Sequence, residues 1–439
     1  MNRFTAERTV SICLLWLVPG LFAATAAALI GRFGLGGAVP DSWWVMFPAA
    51  LLAGGATRFF IADRKRPDPV LLPLAALLTA VGLAVVARLD PALLGNPDVP
   101  DNLLLRHLVS VVLGIAVACA TPLLCRRPEL IGRYKYTWLV LGAGLLALTL
   151  VFGQEIRGAR LWLRLGPVQV QPSELIRIAL AVFLAGYLAD RRDLVASDLR
   201  VGPIRLPPVP YLLPLVLAAA GSATLLVLQN DLGTALLLFA TTVAMLYVAT
   251  GQPRYVVLGV ATFAAVSWIA SIGVSRLDIR VQNWLDPWVD PLASGYQQIQ
   301  AEYALATGGV LGAGLGRGVP DRIPDVHTDF VLAAIGEELG LAGTIATVGL
   351  LLLFSWRGFV IALRAPNGLG RFLAAGLATS MAVQTLLIAG GVARFVPLTG
   401  LTLPFVSYGG TAMLVNFLAT GLLLSISTCP IRQPPSPVR

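Results

Sequence analysis

Two aspartates, Asp286 and Asp290, each precede a proline in the run DPWVDP, within a polar stretch from Arg276 to Phe330 that separates long apolar runs. A residue before proline is biased toward extended backbone and away from helix, so both read as turn formers. Two carboxylates in an aromatic-walled loop also make one of them a candidate general base, and spacing alone does not choose between them. The stretch also holds Trp284, Trp288, Tyr296, Tyr303, the glutamines Gln297, Gln298 and Gln300, a glycine-rich GGVLGAGLGRG and His327. Disordered segments are poor in aromatics, so this loop is expected to fold although it lacks evident regular structure. The glycine-rich run lacks a preceding strand and a phosphate-binding lysine, and close helix packing or a lid suits it better.

Other polar residues stand at the ends of apolar runs. Pro172 suits a first helical turn, Glu174 favours the positive helix end, and Arg177 follows three residues on along the same face. Glu174 as a mere cap is the plain alternative, but an ion pair at a membrane boundary is costly unless it has a function. Asp231 sits in Asn230-Asp231-Leu232-Gly233, a good turn in its own right. His327, Thr328 and Asp329 open a span, with Glu337 and Glu338 about 12 Å further along the axis and on different faces. Buried carboxylates there are functional candidates or partners of an arginine from another helix. His327 has no neighbouring histidine or cysteine with which to bind a metal. Ser407, Tyr408, Gly409 and Gly410 follow a proline-broken apolar stretch, and the two glycines allow close backbone approach.

The elements that must position these groups are spans. The 439 residues are 57% hydrophobic and 13% charged, against about 25% charged in soluble domains, so an all-α polytopic membrane protein is expected. At about 20 apolar residues per span, twelve candidates fall near 10–30, 43–62, 70–88, 104–124, 136–153, 173–189, 209–229, 231–250, 255–274, 329–355, 371–393 and 404–427. The longest polar stretch between spans is 275–328, and a short tail follows the last span at 428–439. The net charge of +9 sits in short inter-span loops and does not point to nucleic acid. The cysteines, Cys13, Cys119, Cys125 and Cys429, fall outside long polar loops and support neither a disulfide framework nor a zinc site.

Basic residues crowd DRKRPD (63–68), CRRPELIGRYK (125–135), DRRDLVASDLRVGPIR (190–205), GQPR (251–254) and RGFVIALRAPNGLGR (357–371). The positive-inside bias makes that side, and with it both termini, cytoplasmic. The acidic loop 89–103 then lies outside. Against this bias, Arg157, Arg160 and Arg164 lie in one outer segment and Arg276, Arg280, Arg317 and Arg322 in the long loop. The guanidinium fork suits a phosphate-like anion. The segment GARLWLRLGPVQVQPSELIRIAL (158–180) reads as an amphipathic re-entry followed by a helix start.

Taken together, GARLWLRLG, QPSEL, NDLGTA, DPWVDPLASGYQQIQ, HTDF, GEELG and LPFVSYGG resemble, in family order, the SEDS family (shape, elongation, division and sporulation) of RodA/FtsW peptidoglycan polymerases. The resemblance covers about residues 70–427 and implies a ten-span core there with a catalytic outer loop at 275–328, preceded by two extra spans in 1–69 and followed by a cytoplasmic tail at 428–439. It implies a glycosyltransferase in the bacterial cytoplasmic membrane that polymerises lipid II on the outer face beside a class B penicillin-binding protein. It places the essential loop aspartate on Asp290 and the QPSE motif with its following basic residue on Gln171, Ser173, Glu174 and Arg177. Substrate contacts are then expected from these and from Arg160, Asp231, Arg280, Tyr296, Gln297, Gln300, His327, Asp329, Glu337, Glu338 and Ser407–Gly410. The family usually has lysine at Arg177, proline at Asn230 and glutamate at Asp325. These residues imply no certain cofactor, and a divalent cation, magnesium or manganese, stays open as an aid to the leaving group. A lipid flippase without chemistry, or a scaffold for the transpeptidase, are the competing readings.

Overall fold

Leu71–Ala92 (α1) opens the described chain. The computed structural model describes residues 68–429, except 94–98, 100–101, 126–128, 157–158, 167, 198, 202–203, 207–208 and 272–274. The two expected spans at 10–30 and 43–62, Cys13, Arg157 and the tail beyond Cys429 lie outside the described residues.

The following helices are Leu103–Leu124 (α2), Glu129–Arg133 (α3), Lys135–Phe152 (α4), Pro172–Ala196 (α5), Val209–Leu228 (α6) and Leu232–Thr250 (α7). Then come Arg254–Ser271 (α8), Ser275–Leu285 (α9), Tyr296–Gly308 (α10), Val331–Arg364 (α11), Gly368–Val392 (α12) and Gly410–Ser427 (α13). Among the described residues nine helices are long and apolar enough to cross a membrane. α8 stands where the sequence places the remaining core span.

Local chemistry sets the helix ends. Asp231 caps α7 by accepting from the Thr234 amide, and Asn367 caps α12 by accepting from the Gly370 amide at 2.7 Å. Pro172 opens α5, and Gly251 closes α7 at φ 70°, a left-handed conformation suited to glycine. α5 is the central helix, buried almost continuously from Pro172 to Leu188 and packed on α4, α7 and α12. α11 pairs with α12, and α13 with α2. At one end of the bundle, Asp68 pairs with Arg357, and its amide donates to Ser427 Oγ at 3.1 Å, tying the start of α1 to the ends of α11 and α13.

Three expectations change. The segment after α4 is not an amphipathic re-entry but an antiparallel sheet of Gln154–Ile156 (β1), Ala159–Leu165 (β2) and Val168–Val170 (β3). Alternation in ARLWLRL has the strand period of 2, which a helical reading passes over. A second hairpin pairs Leu199–Val201 (β4) with Ile204–Leu206 (β5). The last span starts at Gly410 rather than near 404, because Pro404 and the turn through Gly409 stay outside the helix. α11 is longer than expected and broken at Gly340, where φ is 70°.

Candidate active site

Glu174 and Arg177 face each other from adjacent turns of α5, with Oε2 and an arginine NH2 3.3 Å apart and both side chains buried. The guanidinium also donates to Gln384 Oε1 of α12 and, at 2.7 Å, to Asn416 Oδ1 of α13. Gln384 in turn donates to the Thr402 carbonyl at 2.7 Å, and the Thr402 hydroxyl approaches Glu174 Oε1 at 3.5 Å. These contacts close a ring through three helices and the loop before α13. A buried charge is tolerable only when paired and hydrogen-bonded, and this ring meets that demand. The sequence did not single out Gln384 or Asn416, although a lone amide within an apolar span is itself a signal.

A second polar cluster lies where α7 begins. Gly233 approaches Thr399 so closely that a Cβ would stand 2.0 Å from its carbonyl oxygen, which is why this turn requires glycine. Asp231 Oδ1 accepts from the Thr234 amide at 3.0 Å. Burial pushes its carboxyl up, while the bonds from Thr234, the nearby Ser173 hydroxyl and the Arg280 charge pull it down. Ser173 lies beside Asp231 but outside bonding geometry, so the buried Asp231 Oδ2 and Ser173 Oγ are both left unpaired. Arg280 reaches in from α9, with one NH group 3.4 Å from the carbonyls of both Leu398 and Thr399. Asp329 Oδ2 and an Arg280 nitrogen both border Gly400. The structure thus brings Ser173, Asp231, Arg280 and Asp329 together.

The long loop is folded, as its aromatics imply. Asp286 caps the 3-10 turn Pro287–Val289 by accepting from the Trp288 amide at 3.0 Å. Asp290 is exposed and its Oδ2 accepts from the Ser294 amide at 3.0 Å. The Ser294 amide and hydroxyl hold its carboxyl below the usual aspartate range. Tyr296 and Gln300 lie half-buried on α10, and Gln297 donates to the Pro324 carbonyl at 2.9 Å.

The glycine-rich run packs against helices, with backbone as its instrument. At the Gly340 break in α11, Ala313 and Gly314 amides donate to the Glu337 and Glu338 carbonyls at 2.9 and 3.0 Å. Leu341 and Ala342 amides donate back to the Gly309 and Val310 carbonyls at 2.9 and 3.1 Å. The loop therefore satisfies the groups that the broken helix frees. Glu338 pairs with Arg88 of α1 at 3.2 Å, the interhelical ion pair weighed from the sequence. Glu337 accepts from the Val319 amide at 2.8 Å. Though they leave the helix on different faces, both border Gly318, which wraps over this end of the helix.

His327 is buried, and its carbonyl accepts from the Tyr408 amide at 2.8 Å. The Tyr408 ring lies 5.8 Å from the rings of both His327 and His107, the other histidine, which the sequence reading left unassigned. Ser407 bridges the Leu403 amide and the Thr328 carbonyl at 2.9 and 2.5 Å. Gly409 is buried, and a Cβ on Gly410 would meet Ser110 Oγ at 3.3 Å, so this pair seats the start of α13 against α2. Gln171 is tied to α13 through its amide, which donates to Thr411 Oγ1 at 3.1 Å. Arg160 stands apart from these clusters on exposed β2, where it pairs at 3.3 Å with its cross-strand neighbour Glu155. Among the described residues no group of three or more His, Cys, Asp or Glu is placed to hold a metal ion.

A helical bundle with charged residues buried toward one end, beneath a folded polar loop, defines a polytopic membrane protein. The description of the FtsW, RodA and SpoVE cell cycle proteins matches residues 69–430, and the chain belongs to that family. The "Peptidoglycan glycosyltransferase RodA" of Mycobacterium tuberculosis is 36% identical over 370 residues, 82% of this chain and 78% of that protein. The "Probable peptidoglycan glycosyltransferase FtsW" of Geobacter metallireducens is 34% identical over 376 residues, 84% of this chain and 96% of the other. A solved structure, described as "Structural coordination of polymerization and crosslinking by a peptidoglycan synthase complex", superposes with a TM-score of 0.68 at 32% identity, covering 82% of this chain and 97% of that one. The protein is thus a multi-pass protein of the cytoplasmic membrane.

Proposed function

We propose that this chain is a peptidoglycan glycosyltransferase that polymerises lipid II on the outer face of the membrane, with both termini in the cytoplasm. The observation that carries the reading furthest is the pair of unpaired buried atoms, Asp231 Oδ2 and Ser173 Oγ, beside the Arg280 guanidinium. A buried polar atom without a partner costs free energy that a ligand can recover. A sugar hydroxyl can donate to the first and accept from the second, and a pyrophosphate suits the arginine.

Asp290 serves as general base. Its carboxylate takes the proton of the acceptor sugar hydroxyl as that oxygen bonds to the anomeric carbon of the donor. The bond from that carbon to pyrophosphate breaks, the electron pair leaves with the phosphate oxygen, and the carbon inverts. Pyrophosphate leaves without protonation, so no second carboxylate is needed as acid. Arg280 and Arg160 are the candidates to balance its charge. The Glu174–Arg177 ring holds the floor of the site in one arrangement. A class B penicillin-binding protein is the expected partner, a reading supported by the synthase complex to which this chain is similar.

Purified protein given labelled lipid II, with and without the transpeptidase, tests the reading. Glycan strands are expected, and they disappear in Asp290→Asn. Transbilayer movement of lipid II without product would replace the enzyme with a flippase. Neither movement nor product, with the transpeptidase still bound, would leave a scaffold.

A further inference from the structure

The outer loop carries apolar side chains that nothing in the described chain covers. Leu292 is 89% exposed and Leu311 83%, and Phe395, in the turn that follows α12, is 80% exposed. Trp288, Tyr303 and Val310 are each more than half exposed, and the Trp288 and Tyr303 rings meet edge to face at 6.1 Å. The exposed residues of α10, Tyr303, Ala306 and Thr307, stand at i, i+3 and i+4 on one face of its last turns, and exposed Val310 follows in the turn after Gly308. Contiguous exposed apolar surface of this kind marks a protein or membrane contact.

The position of α10 decides between these. Gly308 packs so tightly on α11 that a Cβ would stand 1.9 Å from the Gly336 carbonyl oxygen. Gln298 donates to the Val392 carbonyl at 3.4 Å, and Glu302 pairs with Arg394 at 2.9 Å, both at the outer end of α12. α10 therefore crosses the outer ends of α11 and α12. Beyond Gly340, α11 continues for 24 residues to Arg364, about 36 Å at 1.5 Å per residue, enough alone for a hydrocarbon core of about 30 Å. The Gly340 break thus stands near the outer boundary of the bilayer. The Gly309–Leu311 turn is hydrogen-bonded to the first turn after that break, beside Leu341 and Ile345, which are exposed as lipid-facing residues of a span. The apolar face of the loop is continuous with that lipid-facing surface. Trp and Tyr favour the headgroup level, and helices with one apolar face lie in the interface plane.

We propose that α10, with the Trp288–Leu292 and Gly309–Leu311 turns, is seated in the outer leaflet of the bilayer, and so holds Asp290 at headgroup level. It rests on the proposed function only for the word outer, since seating itself needs no turnover. A lipid-linked substrate keeps its first sugars at that level, so the seat fixes the height of the carboxylate relative to the reacting bond.

The test uses the full chain in phosphatidylethanolamine and phosphatidylglycerol vesicles, with the four native cysteines replaced by serine. An environment-sensitive fluorophore is attached at Leu292→Cys, Leu311→Cys or, as an independent third site, Phe395→Cys. Binding of the transpeptidase confirms that each labelled chain is folded. Lipids carrying a nitroxide near the headgroup should remove most of the emission at 292 and 311, and iodide in the water little of it. Strong iodide quenching with little lipid quenching at both sites overturns the seat. Iodide quenching that vanishes only when the transpeptidase is added overturns it too, and assigns the face to a protein. Asp290→Asn in the same background should leave the quenching pattern unchanged, which separates this inference from the catalytic one.

Discussion

Glu174 and Arg177 stand one turn apart on α5 with carboxylate and guanidinium 3.3 Å from each other, both buried, and each is held by a further helix or loop. Arg177→Ala leaves Glu174 as a buried charge without its partner. Breaking a buried pair from one side costs about 3–5 kcal/mol, so thermal unfolding in detergent should show a large loss. Arg177→Lys keeps the charge but cannot serve Gln384, Asn416 and Glu174 with one planar fork, and should fall between wild type and alanine. Asn416→Leu should reproduce part of the alanine defect. An Arg177→Ala chain as stable as wild type would mean that the ring carries no stability.

Asn230 adopts φ 65°, a left-handed conformation, and its amide donates to the Val227 carbonyl at 2.9 Å. Proline, the usual family residue there, holds φ near −65° and has no N–H. This turn has therefore settled into a backbone that the family's residue cannot take. Asn230→Pro should destabilise by more than about 1 kcal/mol, whereas Asn230→Gly should be close to neutral. A proline variant at least as stable as wild type would show that the turn moves freely between the two forms.

The bundle was legible because hydrophobic run length is a direct reading of membrane thickness: most core spans fall within a few residues of the helix found, the exceptions being the far ends of α5 and α11 and the start of α13. Glu174 with Arg177 was legible as a pair from the three-residue spacing, whereas spacing did not choose between Asp286 and Asp290, which are both exposed. The sheet after α4 was missed because alternation over seven residues is a weak signal beside membrane helices. The Gly340 break was missed because its cause is not local. It depends on backbone groups of residues 309–314 that lie far from it in sequence. Gln384, Asn416 and Arg88 were missed for the same reason, since each matters through a charge on another helix.

Arg280 and Arg160 differ in setting, and their alanine variants should differ accordingly. Arg280 is half-buried against the Leu398 and Thr399 carbonyls and near Asp231, whereas Arg160 is half-exposed beside Glu155. A lost charged hydrogen bond costs about 1.5–3 kcal/mol. Arg280→Ala should show that full loss in kcat/KM for lipid II, with only partial rescue by lysine. Arg160→Ala should show less, because water screens an exposed charge. Equal kinetics for wild type and Arg280→Ala, with matched expression, would remove that arginine from substrate binding.

Asp290 and Asp286 are four residues apart, and their surroundings assign them different work. Both are exposed, but Asp286 caps the 3-10 turn at the Trp288 amide, whereas Asp290 stands at the turn into α10 and accepts through Oδ2 from the Ser294 amide. The donors on Ser294 hold the Asp290 carboxyl below its usual range, so it is ionised at neutral pH and ready to accept a proton. The sign follows: a depressed group stays a base as pH falls, so the acid limb of kcat/KM should lie below the ordinary aspartate value of about 3.9. Ser294→Ala removes the hydroxyl donor but keeps the amide, and should move that limb upward while leaving the rate at neutral pH nearly unchanged. Asp290→Asn keeps shape but cannot take a proton, and losing a general base costs about 10²–10⁴ in rate. Polymerisation of labelled lipid II should then vanish while membrane insertion and transpeptidase binding survive. Asp286→Asn should keep much of the activity, because an asparagine oxygen still accepts from the Trp288 amide. A live Asp290→Asn beside a dead Asp286→Asn would transfer the base to the first aspartate, and two live variants would end the general-base mechanism for this loop.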